Sequence, residues 1–296
     1  MLAACSSSDD DSDGDSDSGG GSVAGTTPDA MANMSLLQGL QAGATVGSVP
    51  ETTGNLETAL NANDAISIVA QVDHQANASS VELELRPTSV TLFGNPLLGT
   101  PLMQINQLAG LDLPQKMFAW TDAEGQSNIA YNSPVYLRGR HGLNEAQATL
   151  DTIDGALQAL ASNAGGQEFV PAVVTAPGLG EGIIVTPSEN DMDTTYNNLR
   201  SAIDAAAPLR LVAEVDHSAN AANVGLELLP TRLIIFGNPN LGTPLMQEGQ
   251  SIGIDLPQKM LVFQNEQGQV SIAYNCLLYT SPSPRDQRGS RMPSSA

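Results

Sequence analysis

Three histidines, His74, His141 and His217, are the side chains of this sequence best suited to ligating a metal or moving a proton. Two of them close the same phrase, Val-Asp-His, at 72–74 and 215–217. Each is followed at fixed distance by Phe-Gly-Asn-Pro (93–96 and 236–239) and Leu-Gly-Thr-Pro-Leu-Met (98–103 and 241–246). A histidine at the end of an apolar strand, an Asn turn and the Thr and Met of a following helix could line a small pocket. The candidates are His217, Asn238, Thr243 and Met246, repeated as His74, Asn95, Thr100 and Met103, with His141 closing the first pocket. His and Met suit copper, and imidazole suits zinc. One His and one Met per pocket make an incomplete site, so metal binding by His74 and His217 requires a further ligand, for which His141 is the candidate. Strand alternation sends Asp216 to the face opposite His217, so this Asp is not placed to orient the imidazole as in a catalytic dyad.

The competing reading of these residues is structural. Asn between Gly and Pro makes a turn, Thr before Pro caps a helix, Met fills a core, and a histidine at a core's rim donates to a backbone carbonyl. No Gly-x-Ser-x-Gly elbow, His-Glu-x-x-His pair or phosphate loop occurs. An enzyme here would take the form of a Ser or Thr nucleophile served by a distant His. The helix start at Gly242-Thr243 offers free amides to an anion, as every helix does. Asp112-Leu113-Pro114 and Asp255-Leu256-Pro257 read as turns leading into a strand, each with a solvated Asp.

Elements able to position these groups can be read from periodicity. Gly182–Thr186 reads as a strand. Leu199, Ile203 and Ala206 make Asp191–Ala206 a one-faced helix. Leu211, Ala213, Val215 and His217 alternate with more polar neighbours as one face of a strand. Arg232–Phe236 reads as another strand and Thr243-Pro244 as the N-cap and first residue of a short helix, matched by Thr100-Pro101. Lys259–Phe263 and Gln269–Tyr274, around Glu266-Gln267-Gly268, form a hairpin. The order predicts an α+β fold, an antiparallel sheet covered on one face by helices.

That unit occurs twice. The offset that places His74 on His217 aligns Leu56–Asn132 with Leu199–Asn275 without a gap, including Leu-Pro-Gln-Lys-Met at 113–117 and 256–260 and Ile-Ala-Tyr-Asn at 129–132 and 272–275. The expected domains are a tether at 1–42, a first repeat at 43–143, a helix and linker at 144–179 and a second, truncated repeat at 180–275. From 276 to 296 the blocks CLLYTSPSPRD and SRMPSSA resemble a translated sequencing adapter, so this tail is expected to be non-native. On that reading Arg285, Arg288 and Arg291 are no basic patch, and Cys276 is not expected to pair with Cys5, the other cysteine.

Composition narrows the function classes. The 296 residues are 41% hydrophobic and only 4% aromatic, with cores of Leu, Ile, Val and Ala expected and no apolar run of bilayer-spanning length. A formal charge of −21 argues against nucleic acid as a partner. Leu2-Ala3-Ala4-Cys5 has the pattern of a bacterial lipobox, with Cys5 the lipidated residue and the rest of a signal peptide expected upstream. Ser6–Gly21, all Ser, Asp and Gly, reads as a flexible tether. Together these predict an envelope lipoprotein held to a membrane by its N-terminal lipid, in the outer membrane and facing the periplasm or surface.

The Asp-His-Ser-Ala-Asn-Ala segment at 216–221, with Phe-Gly-Asn-Pro, Leu-Gly-Thr-Pro-Leu-Met and Asp-Leu-Pro-Gln-Lys at their spacings, resembles the domain-of-unknown-function family numbered 302. The resemblance covers about 43–143 and 180–275. It implies two tandem two-layer sandwiches related in shape to the TATA-binding-protein fold, often paired as dimers or tandem copies, and no established activity. The sequence therefore predicts a tandem module that binds a small molecule or protein without catalysis, its repeats pairing with each other. The alternatives are copper or zinc handling through His and Met, and a hydrolase without a recognisable motif.

Overall fold

The structure is a computed structural model that describes residues 39–276. The tether, Cys5 and all of the tail after Cys276 lie outside the described residues. Cys276 itself is buried and disulfide-bonded, contrary to the expectation that it would not pair.

Each repeat contributes one antiparallel five-stranded sheet. The first contains β1 (Leu40–Ala44), β2 (Ser67–Asp73), β3 (Thr88–Gly94), β4 (Gln115–Thr121) and β5 (Ser127–Asn132), in the spatial order β1-β5-β4-β3-β2. The second contains β6 (Ile183–Ser188), β7 (Arg210–Asp216), β8 (Thr231–Gly237), β9 (Gln258–Gln264) and β10 (Val270–Asn275), in the matching order β6-β10-β9-β8-β7. The fold is thus two tandem α+β domains.

Helices cover the outer face of each sheet. On the first lie α1 (Val49–Asn61) and, after α2 (His74–Ser79), α3 (Pro96–Ile105) and α4 (Pro134–His141), the long α5 (Gln147–Gly165). Leu56 and Leu60 of α1 and Leu150, Ile153 and Leu157 of α5 pack with Met117 and Ile129 of the strands in one buried cluster. The segment expected as a helix and linker thus supplies half of this layer. On the second sheet the corresponding helix is α6 (Met192–Ala205), whose Met192 and Ile203 reach Val262, Ile234 and Phe236. Then follow α7 (His217–Asn223) and α8 (Pro239–Glu248).

The inner faces of the two sheets meet. Val72, Val90, Leu92, Phe118 and Trp120 of the first and Val215, Leu233, Ile235, Leu261 and Ala273 of the second form a single core cluster. Apolar side chains line both faces of each sheet, and removing the inner faces from water is the main stabilising term of the seam.

The seam is two-fold in its detail. Gln107 Nε2 donates to Thr231 Oγ1 (2.9 Å), and the equivalent Gln250 Nε2 donates to Thr88 Oγ1 (2.6 Å). Gln104 Nε2 donates to the Glu227 carbonyl and Gln247 Nε2 to the Glu84 carbonyl, both at 2.7 Å. Each bond and its mate exchange the repeats, as residues do across an isologous interface.

Two local readings need correction. The strand expected as one continuous apolar face carries a bulge between Leu211 and Ala213, matched between Ile68 and Ala70. The extra residue turns Leu211 toward the helices while Ala213 and Val215 face the seam. Thr100 and Thr243 do not start helices. Asn95 and Asn238 do, their side chains accepting from Leu97 N and Asn240 N, with Pro96 and Pro239 as first helical residues. Two cap-and-proline signals compete in each segment, and the earlier one, an Asn, prevails because it lets the helix bury Thr100, Leu102 and Met103.

Candidate functional site

The seam gathers the groups that could do chemistry. His74 and His217 are not strand residues: they open α2 and α7, capped by Asp73 and Asp216, whose carboxylates accept from Ala76 N and Ala219 N. Both histidines are buried and turn toward the opposite repeat. His217 Nε2 donates to the Gly110 carbonyl at 3.1 Å, across the seam. His74 faces the equivalent Gly253 and Leu256 backbone, yet its Nε2 falls short of a hydrogen bond. Burial lowers both imidazoles from the ordinary 6.5 to about 4, so each is neutral near pH 7.

The pockets are therefore crossed rather than formed within a repeat. Gly110, in the 3-10 turn Gln107–Leu111, holds the His217 ring and Met103 Sδ so close that a Cβ there would lie 3.2 Å from both. The equivalent Gly253, in the 3-10 turn Gln250–Asp255, has Met246 Sδ at the same distance. His217 of one copy and Met103 of the other thus flank the same glycine. Asn95 and Asn238 remain apart as helix caps. Thr100 and Thr243 are buried in their helices with unpartnered hydroxyls. His141 does not close a His74 pocket; its Nε2 donates to Asp112 Oδ2 at 2.7 Å.

Asp112 is the centre of a charge cluster that the sequence reading missed. Expected to be solvated, Asp112 and Asp255 are instead 2% and 6% exposed. Lys116 Nζ lies 3.0 Å from Asp255, across the seam, and the equivalent Lys259 Nζ lies 3.9 Å from Asp112. The difference comes from α4. Its Arg140 donates through Nη1 to Asp112 Oδ2 and to the Tyr136 hydroxyl, both at 2.7 Å, and through Nη2 to Asn275 Oδ1 at 3.0 Å. With Arg140 and His141 on Asp112, the Lys259 amine makes no hydrogen bond.

Electrostatics follow the geometry. Burial pushes the Asp112 carboxyl up, but the Arg140 guanidinium, the hydrogen bond from His141 and the nearby Lys259 outweigh it and hold the group well below the usual carboxylate range. Burial, aided by Lys116, lowers Lys259 from 10.5 to about 7. The signal for this cluster was the Asp and Lys that flank Leu-Pro-Gln in both copies, ionisable residues bounding an apolar strand.

Two concavities stay open to solvent. One, of about 470 Å³, lies between the repeats, with Gln75, Ser79 and Arg86 on one side and Met246 and Gln247 on the other. The second, of about 330 Å³, lies in the first repeat between α1 and strands β2 and β3. Among the described residues no group of three or more His, Cys, Asp or Glu is arranged to hold a metal ion, and no helix is long and apolar enough to cross a membrane.

A family profile matches both repeats. The profile of a family described as Domain of unknown function DUF302 matches residues 42–160 and 184–285. Two proteins called Fluoride-specific ion channel FluC 1, from Brucella suis biovar 1 (strain 1330) and Brucella abortus biovar 1 (strain 9-941), are 42% identical over 78 residues, or 26% of this chain. The match spans 31% and 29% of their lengths, so this chain covers less than a third of those relatives. The crystal structure of uncharacterized conserved protein DUF302 from Bacillus stearothermophilus shares 19% identity at a TM-score of 0.39, covering 43% of this chain and 98% of that one.

Proposed function

Since the chain belongs to the DUF302 family, whose description assigns no activity, we propose from its geometry that it is a non-enzymatic binding module of the bacterial envelope. In this reading the two repeats act as one body on a lipid tether at Cys5, whose sulfur, once lipidated, is no longer available to Cys276 as a disulfide partner. One observation carries the binding reading: all three histidines are sealed within or beside the seam, 5%, 2% and 6% exposed, while the two concavities are lined by amides, hydroxyls, apolar side chains and a few charged groups, with no histidine among them. An imidazole enclosed against backbone cannot reach a substrate in either cleft. The expected result with generic ester, phosphoester, peptide and glycoside substrates is no turnover. Hydrolysis abolished in the His74→Ala, His217→Ala double variant would overturn the reading. For the tether, radiolabelled palmitate incorporated into the protein in its native host and lost in Cys5→Ser would support anchoring; a soluble, unlabelled product would refute it.

A second reading, copper or zinc handling, is favoured by one observation: His74 Nε2 is unpartnered in a microsite whose Gly253 touches Met246. Calorimetric titration with Cu(I) and Zn(II) tests it. Stoichiometric binding lost in the same double variant would establish it. Equal heats from both proteins would dismiss it.

A further inference from the structure

The repeats differ where one fills a space that the other leaves open. In the second repeat the ground between α6 and strands β7 and β8 is occupied by Arg232. Its Nε donates to Asp216 Oδ2 at 3.1 Å, its Nη1 to Asp193 Oδ1 at 2.9 Å, and its guanidinium lies 5.3 Å from the centroid of the Tyr196 ring. Tyr196 in turn donates to Glu214, which also pairs with Arg200 at 3.2 Å. This is a guanidinium site occupied by the chain's own side chain.

At the equivalent positions of the first repeat, 143 residues earlier by the His74–His217 offset, Arg232 is replaced by Ser89, Tyr196 by Thr53 and Asn197 by Gly54. The filling side chains are gone, and the cleft of about 330 Å³ stands in their place. The anionic side of the site is rebuilt from fewer groups: Asp193 and Glu214 give way to Pro50 and Gln71, but Asp73 keeps the position of Asp216, with Oδ1 engaged by Ala76 N, and Glu57 adds a carboxylate where Arg200 had stood. At the floor, Ile234 is exchanged for Thr91, which is 1% exposed, lines the cleft and has a hydroxyl without a partner. A buried hydroxyl left unpaired is destabilising, and a ligand donor would relieve it.

We propose that this cleft binds a small cationic ligand carrying a guanidinium or primary ammonium group. The inference rests on the reading of the chain as a binding module and names the ligand class. Asp73 and Glu57 receive the charge, and Thr91 accepts a hydrogen bond from the ligand's N–H. The net charge of −21 raises the local concentration of such cations.

Calorimetry of the full chain with agmatine as probe tests the proposal. The expected result is one site per chain, weakened at least tenfold by Thr53→Tyr with Ser89→Arg, which transplants the second repeat's filling, with no loss of melting temperature. Thr91→Val, shape-conserving at a site where the second repeat carries Ile, is expected to weaken agmatine several-fold. Heats that the transplant leaves unchanged, or that vanish at 0.15 M salt in every variant alike, would mark diffuse attraction to an acidic surface and overturn the proposal. Binding of a neutral solute such as glucose in this cleft without agmatine binding would also overturn it, yet leave the binding-module reading intact.

Discussion

The buried ionisable side chains give this protein its most specific behaviour in solution. His74 and His217 take up protons in the unfolded chain near pH 6.5 and in the folded chain only near 4. Stability is therefore complete above about 6.5 and is lost as pH falls toward 4. At about 1.4 kcal/mol per decade the loss is about 3 kcal/mol for each histidine. Chemical denaturation at several pH values should show this slope, and His74→Gln with His217→Gln should flatten it between those limits. Lys259 acts with the same sign in a higher pH window. Its amine is lowered to about 7, so the unfolded chain holds the proton more tightly and stability rises from pH 7 to 10. Lys259→Met should abolish that rise and stabilise the protein at pH 6 by roughly 1–2 kcal/mol, since the amine lacks a hydrogen bond. Asp112→Asn should instead cost about 3–5 kcal/mol, because it strands Arg140 in the interior. Equal effects from the two substitutions would contradict the asymmetry described for the cluster.

Elements of the two repeats follow one backbone path even where their residues disagree. After α7 the chain turns through Gly225 at φ 75°, and Leu226 N reaches the Ala221 carbonyl at 3.0 Å. After α2 the same turn is made with the same bond, Leu83 N to the Ala78 carbonyl at 3.0 Å, but the residue in the left-handed region is Glu82, at φ 59°. A Cβ is unfavourable there by about 1–2 kcal/mol, while glycine loses about 0.5–1 kcal/mol of chain entropy on folding. Glu82→Gly should therefore stabilise the first repeat by a few tenths to about 1 kcal/mol, read as a raised midpoint in urea. A lowered midpoint would mean that the helix end is not held as described. The capped helices show the same economy of signal: Asn-Pro at 95–96 and 238–239 starts α3 and α8, leaving Pro101 and Pro244 inside them.

Across the whole molecule, the seam couples the repeats into one unit. Of the two equivalent seam glycines, Gly110 and Gly253, the second is the tighter: a Cβ added there would lie 2.6 Å from Phe118 Cε2, in the opposite sheet. Gly253→Ala should cost about 1–3 kcal/mol, and Phe118→Leu should recover part of it, a coupling measurable by a double-mutant cycle. Additive losses would place the two residues out of contact. How much of this was legible in the sequence depends on the distance over which each feature is decided. Strand alternation, the spacing of Leu199 and Ile203, and the gapless second copy determined the α+β class and the tandem layout, because local periodicity records which face an element buries. Only the tertiary structure decided that Asp112 and Lys259 are interior and that His217 meets Gly110 of the other copy. Only there, too, does the space that Arg232 fills stand open beside Ser89. Each of these depends on side chains brought together from more than ten residues apart in the chain, and periodicity carries no record of such distant encounters.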